Sequence, residues 1–239
     1  MAALEDSAFG RLIGALVSPV KTFRSIAARP TWGAALIVLI VTTATVGLLA
    51  NQRLDKDEMR HKVQERIEKS QGGQASPEDV DRAMRITETA NSVGRWLVPV
   101  FVAVVYLIVA ALFLGAFRFF GGSDLSFKQS FAVTLHSFMP AVISALLALP
   151  LILSRERIGM QEAQNGVLAS NLAAFAPDDL GNAARTLLGS FDFFSIWTVC
   201  LLILGYRTVA RVSTTAAVAT VVILWILYIG VRVGLASLG

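Results

Sequence analysis

The sequence predicts an all-α, polytopic membrane protein with five transmembrane helices, amphipathic N-terminal helices and an extracytoplasmic helical hairpin. Three observations carry that prediction. Of the 239 residues, 55% are hydrophobic and only 16% are charged. The mean hydropathy is +0.64, above that of a soluble domain of ordinary composition. The charges are spaced so that five apolar runs approach or exceed the roughly 17 to 25 helical residues needed to cross a hydrocarbon core of about 30 Å.

Residues 1–31 read as a cytosolic amphipathic segment. Phe9, Leu12, Ile13 and Leu16 share one helical face, and Ser18-Pro19 reads as an N-cap and first helical residue that start a second short helix. Val20, Phe23, Ile26 and Ala27 repeat the apolar face, with Lys21 and Arg24 beside it. Such a face serves two arrangements, lying on anionic lipid or packing on the protein's own spans, and the sequence leaves both open. The segment holds four basic residues and no run of the kind a cleavable signal needs, so insertion is expected to begin with the first span.

The membrane domain is expected over residues 32–239. Its first span, "WGAALIVLIVTTATVGLLA" at about 32–50, is uncharged between Arg29-Pro30 and Arg53. The insert at 51–95 carries nine basic and nine acidic residues, with Leu54, Met59, Val63 and Ile67 at helical spacing. It restarts at Ser76-Pro77 with Asp79 in a capping-box position, which predicts a two-helix hairpin. The second span, at about 96–117, lies between Arg95 and Arg118, with Trp96 where a belt aromatic sits. The third, at about 131–153, contains His136, Pro140 and Pro150 and is expected to bend. A loop at 154–190 follows, with a helix cap suggested by Pro177-Asp178-Asp179.

The fourth span, at about 192–210, is short. Only 14 uncharged residues separate Asp192 from Arg207, and the span reaches full length if Arg207 snorkels toward the headgroups. The fifth occupies about 214–231 and is followed by Arg232. Five spans place the two ends of the chain on opposite sides. Eight basic residues against Glu5, Asp6 and Asp124 collect on the N-terminal side, while the other side is near balance. By the bias of Lys and Arg toward the cytoplasm, the N-terminus is cytosolic and the C-terminus extracytoplasmic. The net charge of +4 is absorbed by that orientation and needs no nucleic-acid partner.

The polar residues of the spans are few. His136 lies with Pro140 and Ser144 on one face if the helix is continuous, and an ionisable group inside a span marks a functional candidate. Asp192 is read as a helix cap shared with Ser190, or as an ion ligand or proton carrier. It is also placed to pair with Arg232. Arg207 and Arg211, four residues apart, are read as one face at the cytosolic end, able to meet lipid phosphate. Pro140, Trp197 and Gly205 are candidate packing positions, and the lone Cys200 is read as a small packing residue. No pairing of histidines, cysteines or carboxylates has the spacing of a metal or catalytic site, so no cofactor, metal or enzymatic activity is expected.

Three stretches carry a family resemblance. "LVSPVKTFRSIAARPTW" before the first span, "SFMP" in the third, and "FDFFSIWTVCLLILGYRTVARVS" followed by "AAVATVVILWILY" resemble the bacterial branch of the Yip (Ypt-interacting-protein domain) family. That resemblance implies five membrane helices with a cytosolic N-terminus, in the bacterial inner membrane, without an assigned reaction. Eukaryotic members bind Rab-type GTPases. The short N-terminal segment and the missing aromatic-Gly-Pro motifs do not carry that property over. The expectation is a non-enzymatic scaffold or adaptor that organises membrane proteins or lipids and is open to homo-oligomer formation. The alternative is a transporter or channel for a small solute or ion, suggested by His136, Asp192 and the prolines of the third span.

Overall fold

The computed structural model describes residues 7–177 and 179–238. Glu5, Asp6 and Asp178, which entered the charge comparison and the cap expected near Pro177, lie outside the described residues. Among the described residues the regular structure is all helical, and two isolated bridges are the only β-type pairing.

Among the described residues two short helices come first, α1 (Ala8–Val17) and α2 (Pro19–Ala28). Helix α3 (Gly33–Gln52) leads to a hairpin formed by α4 (Lys56–Gln71) and the first half of α5 (Pro77–Phe119). The second hairpin helix and the second span are one helix of 43 residues, so there is no break at residue 95. At 1.5 Å per residue this rod is about 65 Å long. Pro99 lies inside it. Proline removes one donor there, a cost that membrane helices tolerate.

The third expected span is two helices, α6 (Phe127–Ser137) and α7 (Met139–Ser154). Pro140, in the first turn of α7, has no N–H to continue the ladder, and Phe138 turns the chain with its own N–H directed to Thr134 O at 3.2 Å. His136 and Pro140 therefore do not share one uninterrupted helical face. The remaining elements are α8 (Met160–Asn165), a 3-10 turn (Leu172–Phe175), α9 (Asn182–Ser190), α10 (Phe193–Val209) and α11 (Thr214–Ser237). Helix α3, helix α5, the α6–α7 pair and helix α11 are long and apolar enough to cross a membrane. The fourth expected span, α10, is an apolar helix of 17 residues and falls short of that length.

Packing explains the order. Helix α10 lies against α2, α6, α7 and α11, and α3 lies against α5 and α7. The largest core joins Phe23 and Ile26 of α2 to Phe113 and Phe117 of α5, Val133 of α6, and Leu202 and Tyr206 of α10. A second core joins Leu12 and Ala15 of α1 to Leu39, Phe131 and Met139. The N-terminal helices are thus packed inward. Burying Phe23 and Ile26 removes each from water at a gain of about 2 kcal/mol. Part of the α1 face nevertheless stays outside, because Phe9, Ile13 and Val17 are exposed at successive turns.

At the opposite end the loop after α7 docks on the base of the hairpin. Asp55 N–H donates to Ile158 O at 2.9 Å and Ile158 N–H to Arg53 O at 2.7 Å. Arg157 reaches Asp57 at 2.6 Å and Asp55 at 3.7 Å. Ile158 is fully buried beneath these contacts with Ala148 and Ile152. Along the hairpin, Arg60 pairs with Asp81 at 2.6 Å and Lys56 with Glu88 at 3.4 Å, exposed pairs that each contribute no more than about 1 kcal/mol.

Candidate functional site

The polar residues of the bundle gather at its two ends, and the end formed by α1, α2, the start of α6 and the end of α10 is the more elaborate. Ser7 caps α1, accepting from Gly10 N–H at 2.9 Å. Ser18 does not cap α2 through its side chain; its N–H donates to Gly14 O at 2.8 Å, and Pro19 starts the helix. Helices α1 and α2 cross where a Cβ on Gly14 would lie 2.5 Å from Thr22 Oγ1.

Arg11 is 4% exposed, and its Nη1 donates to Arg29 O at 2.8 Å and Thr31 Oγ1 at 2.9 Å. A guanidinium buried this way fastens α1 to the segment leading into α3. The last turn of α2 is held by Gln129, whose Nε2 donates to Ala27 O at 3.2 Å while Ser126 and Gln129 form the capping box of α6. His136, 2% exposed, donates from Nδ1 to Ala132 O at 2.8 Å, one turn back on its own helix.

Gly205 sits at the closest approach of α10 to its neighbours. A Cβ there would lie 2.7 Å from Val133 Cγ1 and 2.9 Å from Phe23 Cε1. Beside it, Tyr206 is fully buried, with Phe113 at 4.8 Å and Phe117 at 4.7 Å between ring centroids. Its hydroxyl lies 2.8 Å from both Ser130 Oγ and Thr134 Oγ1. Ser130 spends its one hydroxyl hydrogen on Ala110 O at 2.7 Å. Tyr206 therefore donates toward Ser130, and Thr134 donates to Tyr206. Four hydroxyl and carbonyl groups from α5, α6 and α10 are satisfied in one buried cluster, the arrangement that holds membrane helices together without a hydrophobic driving force. Sequence reading passed over Tyr206, Ser130 and Thr134. The one signal was a tyrosine next to a glycine at the charged end of a short apolar run.

Arg207 is exposed in the last turn of α10. Arg211 does not share its face, because the helix ends at Val209 and Arg211 adopts φ +56° in the following turn. Both lie on a surface of one charge. Among the described residues, Lys21, Arg24, Arg29, Arg118, Lys128, Arg207 and Arg211 are exposed at this end, against Asp124 as the only exposed acid there. Phe119 and Phe120 project beside them, 88% and 84% exposed.

Asp192 stands at the other end. Its Oδ1 accepts from Phe194 N–H at 2.9 Å and Ser195 N–H at 3.1 Å, capping α10, and its Oδ2 accepts from the Ser170 hydroxyl. Ser190 takes no part in this cap, since its hydroxyl donates to Thr186 O at 2.8 Å. Nor is Asp192 paired with Arg232, whose guanidinium lies 5.8 Å from the centre of the Tyr228 ring. Helix α9 begins after Gly181 instead of at the Pro177 turn. Trp197 is half-buried, 5.9 Å from Phe193, Pro140 is buried between α6 and α7, and Cys200 is exposed on the flank of α10.

At the hairpin base, Asp55 accepts from Glu58 N–H and Asp57 N–H, and Glu58 accepts from Met160 N–H at 2.9 Å. These backbone donors lead the causes that hold both carboxyls below their ordinary range, with Arg157 helping at Asp55 and Lys62 at Glu58.

The arrangement is one of helix fastening and surface charge: buried polar groups close on each other, and the exposed ones form a cationic face. No curated protein and no solved structure matches the chain. The model of the Yip1 domain matches residues 13–235, from the middle of α1 almost to the end of α11, and the chain belongs to that family of membrane proteins.

Proposed function

We propose that this chain is a non-enzymatic adaptor of the bacterial inner membrane, crossing it five times with the N-terminus in the cytosol. It presents a fixed cationic platform on the cytosolic side and a helical hairpin outside. The observation that carries this reading is the complete burial of Phe23 against Gly205. That contact makes α2 part of the bundle, so Arg24, Arg207 and Arg211 stand on a shaped surface and not on a tether. The one-sided charge supports the orientation. Helix α10 supplies the fourth of the five crossings at about 26 Å, with Arg207 reaching back to the headgroups and Thr208 and Val209 beyond it.

Solute transport is the weaker reading. His136 has its Nδ1 committed to Ala132, and Asp192 has both carboxylate oxygens committed to α10 and Ser170. The test is in-cell photo-crosslinking from Arg24, Arg211 and the hairpin position Arg66, with mass spectrometry of the adducts. Reproducible adducts to another protein from Arg24 or Arg211 are expected. Adducts to lipid alone at those positions, together with specific solute flux in liposomes, would overturn the adaptor reading in favour of transport.

A further inference from the structure

Helix α5 uses one face and leaves the opposite face bare along most of its length. Toward the bundle it buries Val102, Ala110, Phe113 and Phe117, and toward α4 it buries Val80 beside the Asp81 and Glu88 ion pairs. At 100° per residue these positions fall on one side of the rod. On the other side Ile86, Val93, Val100 and Leu107 recur every seventh residue, 64%, 57%, 61% and 39% exposed. Ala90, Leu97 and Val104 recur between them at the complementary step, and all three are exposed. Together they make a strict alternation of three and four residues over about three heptads, the repeat of a left-handed coiled-coil seam.

Lipid covers the lower part of this stripe but not all of it. The uncharged run begins at Trp96, and Ile86 stands ten residues before it, about 15 Å along the axis. The headgroup layer on each side is only about 5 to 8 Å thick. The stripe thus leaves the membrane and continues into water.

We propose that two copies of this chain associate side by side through α5, in parallel, along this heptad stripe. Three features select a second copy as the occupant. Copies inserted in one membrane share one orientation, so their α5 helices are parallel and present the stripe at the same depth. A two-fold axis along the membrane normal sets each seam residue against its own counterpart, which demands a seam free of charge. The seam and flanking positions from Ala83 to Ala111 are uncharged, including Thr87, Thr89 and Gly94, while Arg85, Glu88 and Arg95 point elsewhere on the helix. Gly94 and Ala90 also let the two backbones come close where the stripe enters water.

The test is disulfide trapping in native membranes. Cys200 is replaced by serine, and single cysteines are placed at Ile86, Val93, Arg85 and Arg95. Copper-catalysed oxidation is expected to give dimer from Ile86→Cys and Val93→Cys at least ten times faster than from Arg85→Cys or Arg95→Cys. Equal rates at all four positions, or faster trapping from the two arginine positions, would overturn the proposal. Because Ile86 and Val93 are exposed in the single chain, Val93→Lys leaves the fold intact. In single-molecule photobleaching in liposomes the wild type is expected to bleach in two steps and Val93→Lys in one; one-step bleaching of the wild type would equally overturn the proposal.

Discussion

Phe23 and Gly205 meet at a distance that leaves no room for a single added carbon. A Cβ on Gly205 would come within 2.9 Å of the Phe23 ring and 2.7 Å of Val133. The N-terminal helices therefore join the bundle through a missing side chain. Gly205→Ala is expected to lower stability by about 1 to 3 kcal/mol, the cost of overpacking a close contact. Val133→Ala added to it should return part of the loss, and thermal unfolding of the single and double variants in detergent measures both. A Gly205→Ala protein as stable as wild type would show that α2 is not seated as described.

The Tyr206 hydroxyl offers a second test, because its partners are known on both sides. Tyr206→Phe leaves Thr134 with no acceptor at that position, and a loss of about 0.5 to 1.5 kcal/mol is expected, the range found for hydrogen bonds between membrane helices. Thr134→Val, which removes the same bond from the other end, should cost a similar amount. The double variant should cost less than the sum, and strict additivity in the same unfolding assay would disprove the shared bond.

Docking of the loop after α7 on the hairpin is expected to fail in acid. The Asp55 and Glu58 carboxyls are held below their ordinary values in the folded protein, foremost by backbone N–H donors. A depressed folded value means the stabilisation is fully present above the unfolded values near pH 4 and is lost as pH falls through the folded ones. Spin labels at Gln64 and Glu156 should report a fixed distance at pH 6 and a broadened one once the pH falls below the ordinary carboxylate range. Glu58→Gln should weaken the docking at neutral pH, converge with the wild type in acid and so flatten the acid response, and an acid response unchanged in that variant would assign it elsewhere.

Arg211 holds a left-handed backbone, φ +56°, just past the end of α10. Glycine takes that conformation without strain, so Arg211→Gly is expected to leave stability unchanged or raise it by up to about 1 kcal/mol while removing one charge from the cationic face. Adduct yield at Arg24 and unfolding temperature, measured on the same variant, separate the two effects.

The four long apolar stretches of α3, α5, the α6–α7 pair and α11 were legible because charge-free length is a direct physical requirement for crossing hydrocarbon, and the cap at Asp192 was legible because an acid before an apolar run satisfies the first amides of a helix. Other features left little or no local trace. Arg11 reads as one more cation on an amphipathic helix, and its burial is decided by Arg29 and Thr31, 18 and 20 residues away. Tyr206 depends on Ser130 and Thr134, 76 and 72 residues earlier in the chain. The junction at Ile158 is made by main-chain groups of Arg53 and Asp55, and backbone hydrogen bonds do not select side chains. The bend at Phe138 was visible as Pro140, but its consequence, that His136 and Pro140 end up on different helices, follows only from where the ladder breaks.

The unbroken length of α5 makes it a lever. One arm carries the charged hairpin with α4 strapped to it, and the other holds Phe117, stacked on the Tyr206 ring, in its last turn. A continuous hydrogen-bonded rod transmits tilt, and a rod about 65 Å long that pivots by about 5° near one end moves its other end by about 6 Å. Its proline joint is Pro99, three residues past Trp96, where the uncharged run begins. Tilt of the hairpin arm is therefore felt at the contact of Phe117 with Tyr206, less whatever bending Pro99 absorbs.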